Sequence, residues 1–284
     1  MIHERFLKDH SLNNCEYNYT YQAYLNVYLR FYPMKNFTDN FSKQADIYAK
    51  YRPHYPKELF EYLASLTEQH ELAWDCGTGN GQAAVGLTSF FKKVIATDPS
   101  EQQIHHAGQH ASIEYRVERA EAFEQEPNTV DLVTVANALH WFERDAFYEV
   151  VQRVLKPNGI FAAWAYEVPF VSPDIDRVTR YFHDVVVDEF WAEPNRLVEN
   201  QYRDLIFPYS LIDTPAFYSM REFDLAGFIA YFNTWSATQK FIAAKEYNPT
   251  DQLAKDLLSV WGNPLDKRRV VWKLILRVGK KTNL

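Results

Sequence analysis

The chain has 284 residues, of which 47% are hydrophobic and 24% are charged, values that are ordinary for a protein with one substantial core. It carries 30 Lys and Arg against 37 Asp and Glu, a net charge of -7, without a long basic run, so general nucleic-acid binding lacks its electrostatic footprint. Two cysteines, Cys15 and Cys76, are too few for a disulfide framework, so we expect free thiols. No apolar run has the length of a membrane span or of a signal peptide, so we expect a cytoplasmic protein.

The first 40 residues form an aromatic-rich N-terminal extension. Tyrosine and phenylalanine side chains crowd residues 17–32, where charges are few. Such a segment must pack on something, so we expect either an arm over the rest of the chain or a contact in a homodimer. Residues 41–284 are predicted to form the main domain.

Alternating strands and helices are predicted next in the chain. Residues 41–51 are compatible with a helix, and after the break at Arg52-Pro53 a helix is expected to start at Pro56 and run to about His70. Strands are predicted at 72–75, 93–97, 113–117, 130–136 and 160–164, and helices at 82–90, 101–108 and 144–155. The fifth strand is expected to begin after a turn at Pro157-Asn158-Gly159. This alternation favours a doubly wound α/β fold with a parallel sheet.

The pattern changes after Tyr166. Prolines interrupt helical stretches such as 174–191, and no glycine occurs between Gly159 and Gly227. We expect a helical cap at about 167–216 and 224–262. Between and after these segments, residues 218–223 and 269–278 are predicted as strands that complete the sheet, with an antiparallel strand at one edge.

The first strand leads into a glycine turn, Asp75-Cys76-Gly77-Thr78-Gly79-Asn80-Gly81. Glycines at alternate positions allow backbone amides to face a ligand without an intervening Cβ. Asp98 ends the second strand, where its carboxylate is placed to accept the two hydroxyls of a ribose, although Asp98-Pro99-Ser100 is also a good start for a helix. The glycines could also form a tight turn that binds no ligand. The glycine turn and Asp98 together indicate a site for a nucleoside cofactor.

The composition of the turn restricts which nucleoside. A dinucleotide site would have a third glycine at the position of Gln82, and a triphosphate-binding loop would contain a lysine, which this turn lacks. The turn begins with Asp75 and has no fixed positive charge, so it suits a cofactor that carries an ammonium group. A nicotinamide-dependent oxidoreductase remains an alternative, although it would need a small residue at 82.

Five motifs in order carry a family resemblance. They are the glycine turn, Asp98-Pro99-Ser100, Val130–Val133, Asn137-Ala138-Leu139-His140-Trp141-Phe142 and Leu155-Lys156-Pro157-Asn158-Gly159. Together they resemble class I S-adenosylmethionine-dependent methyltransferases, and the fourth motif with Tyr51–Pro56 resembles the subgroup that includes trans-aconitate methyltransferases. The resemblance covers roughly residues 40 to 166. It implies a Rossmann-like doubly wound, mostly parallel seven-stranded sheet, S-adenosyl-L-methionine as cofactor, and methyl transfer.

Cofactor binding is assigned to residues at the strand ends and to the segment before the first helix. Asp75 would balance the ammonium group directly or through water, and Arg52 would bind the cofactor carboxylate unless it forms a surface ion pair. The resemblance implies that the Ala120 amide and Glu121 meet the adenine, although Glu121 could also be a solvated residue. The complete set is Tyr51, Arg52, Asp75, Gly77, Gly79, Gln82, Asp98, Ala120, Glu121 and Asn137.

His140 is the candidate catalytic base on the acceptor side, since its ordinary pKa lies close to neutral pH. A structural histidine is the alternative, and a carboxylate acceptor would need no base. The predicted substrate pocket consists of Tyr48, Trp141, Trp164, Tyr166 and Trp235. Metal binding is not expected, because the histidines at 105, 106 and 110 lack a suitably spaced acidic partner.

These features predict methyl transfer to a small-molecule acceptor, at a carboxylate or hydroxyl oxygen, without nucleic-acid or membrane partners. A non-catalytic protein that binds S-adenosylmethionine or serves as an assembly module is the second alternative, because intact cofactor residues do not prove turnover.

Overall fold

The computed structural model describes residues 50–281. The N-terminal extension, most of the helix-compatible stretch at 41–51 and the pocket candidate Tyr48 lie outside the described residues. Predictions about them therefore stay predictions.

A single mixed sheet organises the described part of the chain, with strand order β3-β2-β1-β4-β5-β8-β6 and β7 paired to β8. Its first five strands are parallel to one another. The strands are β1 Leu72–Cys76, β2 Lys93–Asp98, β3 Ile113–Val117, β4 Val130–Ala136, β5 Leu155–Tyr166, β6 Ser210–Leu211, β7 Tyr218–Phe223 and β8 Arg268–Lys280. This confirms the predicted doubly wound, mostly parallel sheet.

Strand β8 supplies the predicted antiparallel edge. Its second half pairs with β5 in antiparallel register from Leu274 to Lys280, and its first half pairs with β7. The two-residue strand β6 pairs antiparallel with the end of β8 and brings the number of strands to eight. No sequence signal indicated β6, because two residues are too few to show an alternating pattern.

Helices flank the sheet and follow β5. They are α1 Lys57–Ser65, α2 Gln82–Leu87, α3 Glu101–His105, α4 Arg144–Val154, α5 Pro173–Tyr181, α6 Asn195–Glu199, α7 Leu225–Asn233, α8 Ser236–Lys245 and α9 Thr250–Trp261. The first three end a few residues earlier than predicted. Sequence patterns locate helix ends less well than helix centres, because the last turn makes the fewest backbone hydrogen bonds.

Strand β5 begins earlier than predicted, at Leu155 instead of Ile160. Val130 pairs with Leu155 and Leu132 pairs with Ile160, so two steps along β4 match five steps along β5. The predicted Pro-Asn-Gly turn is therefore an irregularity inside the strand, with Asn158 at φ 65°. The chain does turn here, but the residues on both sides of the turn pair with β4.

Each face of the sheet buries its own hydrophobic cluster. On one face Trp74 stacks on Phe123 with ring centroids 3.8 Å apart, and α4 packs beside them. On the other face α1 and α2 cover a cluster that includes Phe60 and Trp164. Burial of both faces fixes the sheet and therefore fixes where the ends of its strands meet.

Candidate functional site

The glycine turn leaves β1 and enters α2 with three left-handed glycines. Gly77, Gly79 and Gly81 have φ of 66°, 56° and 85°, a conformation that favours glycine. A Cβ on Gly77 would lie 2.6 Å from the Cβ of Ala138, and one on Gly81 would collide with the Tyr115 hydroxyl. A Cβ on Gly79 would have Gln103 Oε1, at 3.8 Å, as its nearest neighbour. The space beside Gly79 is therefore open to a ligand.

Asp75 lies beneath this turn and is fully buried. Its two carboxylate oxygens accept hydrogen bonds from Thr78 Oγ1 at 2.5 Å and Thr134 Oγ1 at 2.7 Å. Burial raises the pKa of Asp75 to about 6, although these bonds and one from the Ala84 amide act in the opposite direction. The structure thus places a negative charge below the turn at neutral pH, with both oxygens already engaged.

Asp98 joins the ends of β2 and β1. Its Oδ2 accepts a hydrogen bond from the Gly79 amide at 2.9 Å, and its Oδ1 accepts one from the Ser100 amide at 2.9 Å. Ser100 in turn caps α3 by accepting from the Gln103 amide, so the motif does start a helix, and ribose binding by Asp98 stays a prediction. A carboxylate has about four lone-pair positions, so this half-buried group retains acceptor capacity for ribose hydroxyls.

Asn137 organises the ends of β4 and β5. It has φ 54°, its amide donates to the Trp164 carbonyl at 2.7 Å, and its Nδ2 donates to Tyr55 Oη at 3.0 Å. Its Oδ1 accepts from the Tyr166 amide at 3.3 Å. In this structure Asn137 fixes the shape of the strand ends, and contact with the cofactor stays a prediction.

The adenine candidates follow β3. Ala120 is buried, and Glu121 accepts a hydrogen bond from the Glu143 amide at 2.9 Å. Burial opposes ionisation of Glu121, but this bond and the nearby Arg119 keep its pKa below the usual value. Glu121 is therefore not a freely solvated residue: it links the segment after β3 to the segment after β4.

His140 lies in a short 3-10 turn, Leu139–Trp141, and is 6% exposed. Its Nδ1 is 3.1 Å from the hydroxyl of Tyr202. Burial, with the charge of Arg144 adding to it, lowers the pKa of His140 to about 4. At neutral pH the ring is neutral and a weak base, so these contacts favour a positioning role, and its role as catalytic base stays a prediction.

Arg52 connects three parts of the described chain. Its Nη1 donates to Tyr166 Oη at 2.6 Å, its Nη2 donates to the Thr234 carbonyl at 2.8 Å, and its own carbonyl accepts from Arg221 at 2.7 Å. The neighbouring Tyr51 packs its ring 6.2 Å from that of Phe223.

The remaining candidates are spread over different environments. Gln82 lies at the start of α2, where its Nε2 is 3.2 Å from His54 Nδ1. Trp141 is 53% exposed beside the end of β4. Trp164 is fully buried against Tyr55, with ring centroids 5.3 Å apart, and lies in the core rather than on an open surface.

Trp235 and Tyr166 lie at opposite ends of the Arg52 connection. Tyr166 is at the end of β5, whereas Trp235 is 3% exposed and packs among aromatic rings of the helical segment after β5. Tyr48 lies outside the described residues, and the predicted pocket stays a prediction.

Several residues that build this site had no predicted role. Tyr55 lies in the motif Tyr51–Pro56, and Thr78, which donates to Asp75, lies in the glycine turn itself, so both had a local signal. Thr134 and Tyr115 reach the site only through strand pairing, which brings Thr134 to Asp75 and the Tyr115 hydroxyl to Gly81.

Within residues 50–281, no helix is both long and apolar enough to cross a membrane. The same part of the chain contains no group of three or more His, Cys, Asp or Glu side chains that could hold a metal ion.

Comparison with known proteins identifies the family. Residues 74–163 match a family model described as a methyltransferase domain. A Dictyostelium discoideum protein that bears a methyltransferase name is 31% identical over 229 residues, which span 79% of this chain and 87% of that protein. The chain belongs to the methyltransferase family. The methyltransferase also aligns with a solved structure from Anaeromyxobacter dehalogenans, described as a type II methyltransferase, at 34% identity and a TM-score of 0.78, over 82% of this chain and 99% of that one.

The cofactor of this methyltransferase is S-adenosylmethionine. The Saccharomyces cerevisiae protein CRG1, named as an S-adenosylmethionine-dependent methyltransferase, is 29% identical over 132 residues, which span 43% of this chain and 45% of CRG1. The site fits that cofactor, because the space beside Gly79 is open, Asp98 has acceptor capacity next to it, and Asp75 places negative charge below the turn. The oxidoreductase alternative is set aside.

Proposed function

We propose that this S-adenosylmethionine-dependent methyltransferase methylates a carboxylate or hydroxyl oxygen of a small-molecule acceptor. The observation that carries the proposal is the pairing of the open space at Gly79 with the Asp98 carboxylate, which bonds the same residue's amide at 2.9 Å. The net charge of -7 supports a small acceptor over a nucleic acid.

The donor site is built from the ends of β1 and β2. Asp98 would accept the ribose hydroxyls, and the amides around Gly79 would bind the amino-acid part above the charge of Asp75. When bound, the cofactor supplies a methyl group on a positively charged sulfur, which is transferred by in-line displacement. The contribution of the chain is to align the acceptor and to exclude water, which can supply most of the rate enhancement.

A carboxylate acceptor and a hydroxyl acceptor make different demands on the site. A carboxylate is already ionised at neutral pH, so its methylation needs no base. A hydroxyl must lose its proton, and the low pKa of His140 makes this residue a poor match for that step. The exposed indole of Trp141 offers a flat apolar surface next to the end of β4.

Three finer assignments belong to this proposal. The motif Asn137–Phe142 supports membership of the subgroup that includes trans-aconitate methyltransferases. The aromatic residues at 17–32 support a homodimer contact, and the low cysteine content, two residues in 284, supports a cytoplasmic location. Size-exclusion chromatography of the full chain against a variant that lacks residues 1–40 tests the dimer contact.

Calorimetry tests the donor site. We expect S-adenosylmethionine to bind the wild type, and Asp98→Asn to weaken binding at least tenfold, because Asn offers one acceptor oxygen in place of two charged ones. Asp213→Asn, at an exposed carboxylate, is the matched control and should bind as the wild type does. Equal affinity of all three proteins would refute the assigned donor site.

Turnover tests the acceptor class. The wild type is incubated with methyl-labelled cofactor and panels of carboxylic acids, hydroxyl compounds and amines. Label should appear on members of the first two panels. Label on amines alone would refute an oxygen acceptor, and binding of the cofactor without any transfer would instead support the non-catalytic alternative.

A further inference from the structure

Helix α5 ends in a π-helical turn, Phe182–Val186. The turn closes with the Val187 amide donating to the Phe182 carbonyl at 3.1 Å. Such turns are rare and occur frequently at functional sites. This one separates two neighbouring side chains, because His183 is 12% exposed whereas Asp184 is 61% exposed.

His183 packs against two indoles. Its ring centroid lies 5.2 Å from that of Trp191 and 5.5 Å from that of Trp235, and the two indoles are 5.3 Å apart. We call these three residues the indole cluster. It presents flat aromatic surface beside a titratable ring.

Three polar atoms in the helical segment after β5, one of them in the cluster, are buried without a partner. Among the described residues, Trp191 Nε1, Asn195 Oδ1 and Thr238 Oγ1 are shielded from solvent and make no hydrogen bond. Thr238 is fully buried and lies one turn along α8 from Trp235. Unpaired buried polar atoms are costly, and this set offers a donor, an acceptor and a hydroxyl that can do either. A ligand hydroxyl, which has a proton and lone pairs, would complement them.

The cluster is linked to the strand ends of the donor site. Trp235 follows Thr234, whose carbonyl accepts from Arg52, and Arg52 also donates to the hydroxyl of Tyr166. Tyr166 ends β5, and its amide donates to Asn137 at the end of β4. Arg52 therefore joins the helical segment that carries the cluster to the carboxyl ends of the parallel strands, where S-adenosylmethionine would bind.

His183 has the arrangement of a proton acceptor. Its Nδ1 lies 2.6 Å from Asp184 Oδ1, and a neutral ring that donates from Nδ1 to this carboxylate has Nε2 as its proton acceptor. A carboxylate on Nδ1 fixes the tautomer and stabilises the imidazolium that forms when Nε2 takes a proton. His140 differs, because its Nδ1 lies beside a neutral tyrosine hydroxyl.

We infer that the indole cluster is the acceptor site for a flat aromatic molecule with a hydroxyl group, and that His183 removes the hydroxyl proton. This inference rests on the proposed function. As the O–H bond breaks, its proton passes to Nε2 and its electron pair forms the new O–CH₃ bond. The S–CH₃ bond breaks with its pair remaining on sulfur, which becomes a neutral thioether, and Nε2 later releases the proton to solvent.

Binding without turnover tests the polar contacts. The probes are phenol, 2-naphthol and 8-hydroxyquinoline, measured by calorimetry in the absence of the methyl donor. We expect at least one to bind the wild type and Thr238→Val to weaken it about tenfold, since Val has the same shape and lacks only Oγ1. The thermal midpoint of Thr238→Val should not fall, because Oγ1 makes no bond in the free protein. Lack of binding by all three probes, or equal affinity for both proteins, would overturn the inference.

Kinetics test the role of His183. His183→Gln should lower kcat for a bound hydroxyl probe by 10² to 10⁴-fold, the usual contribution of general base catalysis. With a carboxylate acceptor such as 2-naphthoate the same variant should retain its rate, because no proton must be removed. His105→Gln, at an exposed ring in α3, is the matched control and should change neither rate. Equal loss on both acceptor types would exclude the base role.

Different results would refute the proposed function and the acceptor site. If the wild type binds no S-adenosylmethionine or labels no acceptor, the proposed function is wrong. If the wild type labels carboxylates or hydroxyls while Thr238→Val and His183→Gln behave as the wild type, only the acceptor site is wrong.

Discussion

Replacement of Asp75 by Asn should stabilise the folded protein at alkaline pH while it weakens the donor site. The carboxyl is fully buried, and burial raises its pKa from 3.8 to about 6. A folded-state pKa above the unfolded value means that stability is fully present below pH 3.8 and is lost as the pH rises through 6. The charged side chain therefore opposes folding at neutral pH.

The magnitude follows from the shift of about two pKa units. At about 1.4 kcal/mol for each unit, ionised Asp75 costs the fold about 3 kcal/mol at pH 8 and about half of that at pH 5. Asn resembles the protonated acid and can keep bonds to Thr78 and Thr134 by reversing their hydroxyls. The variant should thus gain about 1.5 kcal/mol relative to the wild type between pH 5 and pH 8.

Urea unfolding of both proteins at pH 5, 6.5 and 8 measures the difference, and comparison at each pH cancels the titration of all other groups. Thr134→Val is the companion variant: it removes the bond to Oδ1 and should move the transition to higher pH. Calorimetry at pH 8 should show weaker binding of S-adenosylmethionine to Asp75→Asn. A stability difference that does not depend on pH, or one that favours the wild type at pH 8, would refute the electrostatic account.

Three further predictions concern other parts of the site. Gly79→Ala should reduce donor affinity more than tenfold, measured by calorimetry, while costing only about 1 kcal/mol in urea unfolding, because its Cβ meets open space but its φ is 56°. Tyr166→Phe removes the hydroxyl that accepts the 2.6 Å hydrogen bond from Arg52. The variant should be cleaved faster by protease within residues 173–261, while its Kd for S-adenosylmethionine stays unchanged. Equal cleavage rates of the two proteins would contradict the structural role of this bond. Burial lowers the pKa of His140 from 6.5 to about 4, so the stability that its neutral ring contributes is present above pH 6.5 and is lost as the pH falls through 4. His140→Gln should abolish this loss, measured by unfolding at a series of acid pH values. Unfolding curves like those of the wild type would contradict the role of burial.

The centre of the sheet was predictable because its strands β1, β2 and β4 are buried on both faces and therefore appear as short apolar runs. Strands β3 and β4 occupy the predicted residues, and β1 and β2 differ from prediction by one residue at the end. Gly77 and Pro99 marked where β1 and β2 end. What the pattern could not show was the two-residue β6, or that the turn at Asn158 lies within β5.

The site was predictable only as far as local motifs reach. Gly77, Gly79 and Asp98 were found because alternate glycines and an acid at a strand end have a direct conformational or chemical meaning. The hydroxyls that hold Asp75 lie three and 59 residues away in the chain, and only strand pairing brings Thr134 to it. Side-chain burial was equally hidden: Trp141 follows the end of β4 and is 53% exposed, whereas Trp164 lies near the end of β5 and is fully buried.

The bonds of Arg52 also bear on how this enzyme can change over evolutionary time. One guanidinium before α1 bonds the end of β5 and the carbonyl of Thr234, which are 114 and 182 residues away in the chain. A helical segment exchanged between relatives would thus arrive without its arginine unless the recipient already had one. We expect relatives with divergent helical segments to change residue 52 together with them, so that acceptor preference is inherited as a matched pair of distant segments.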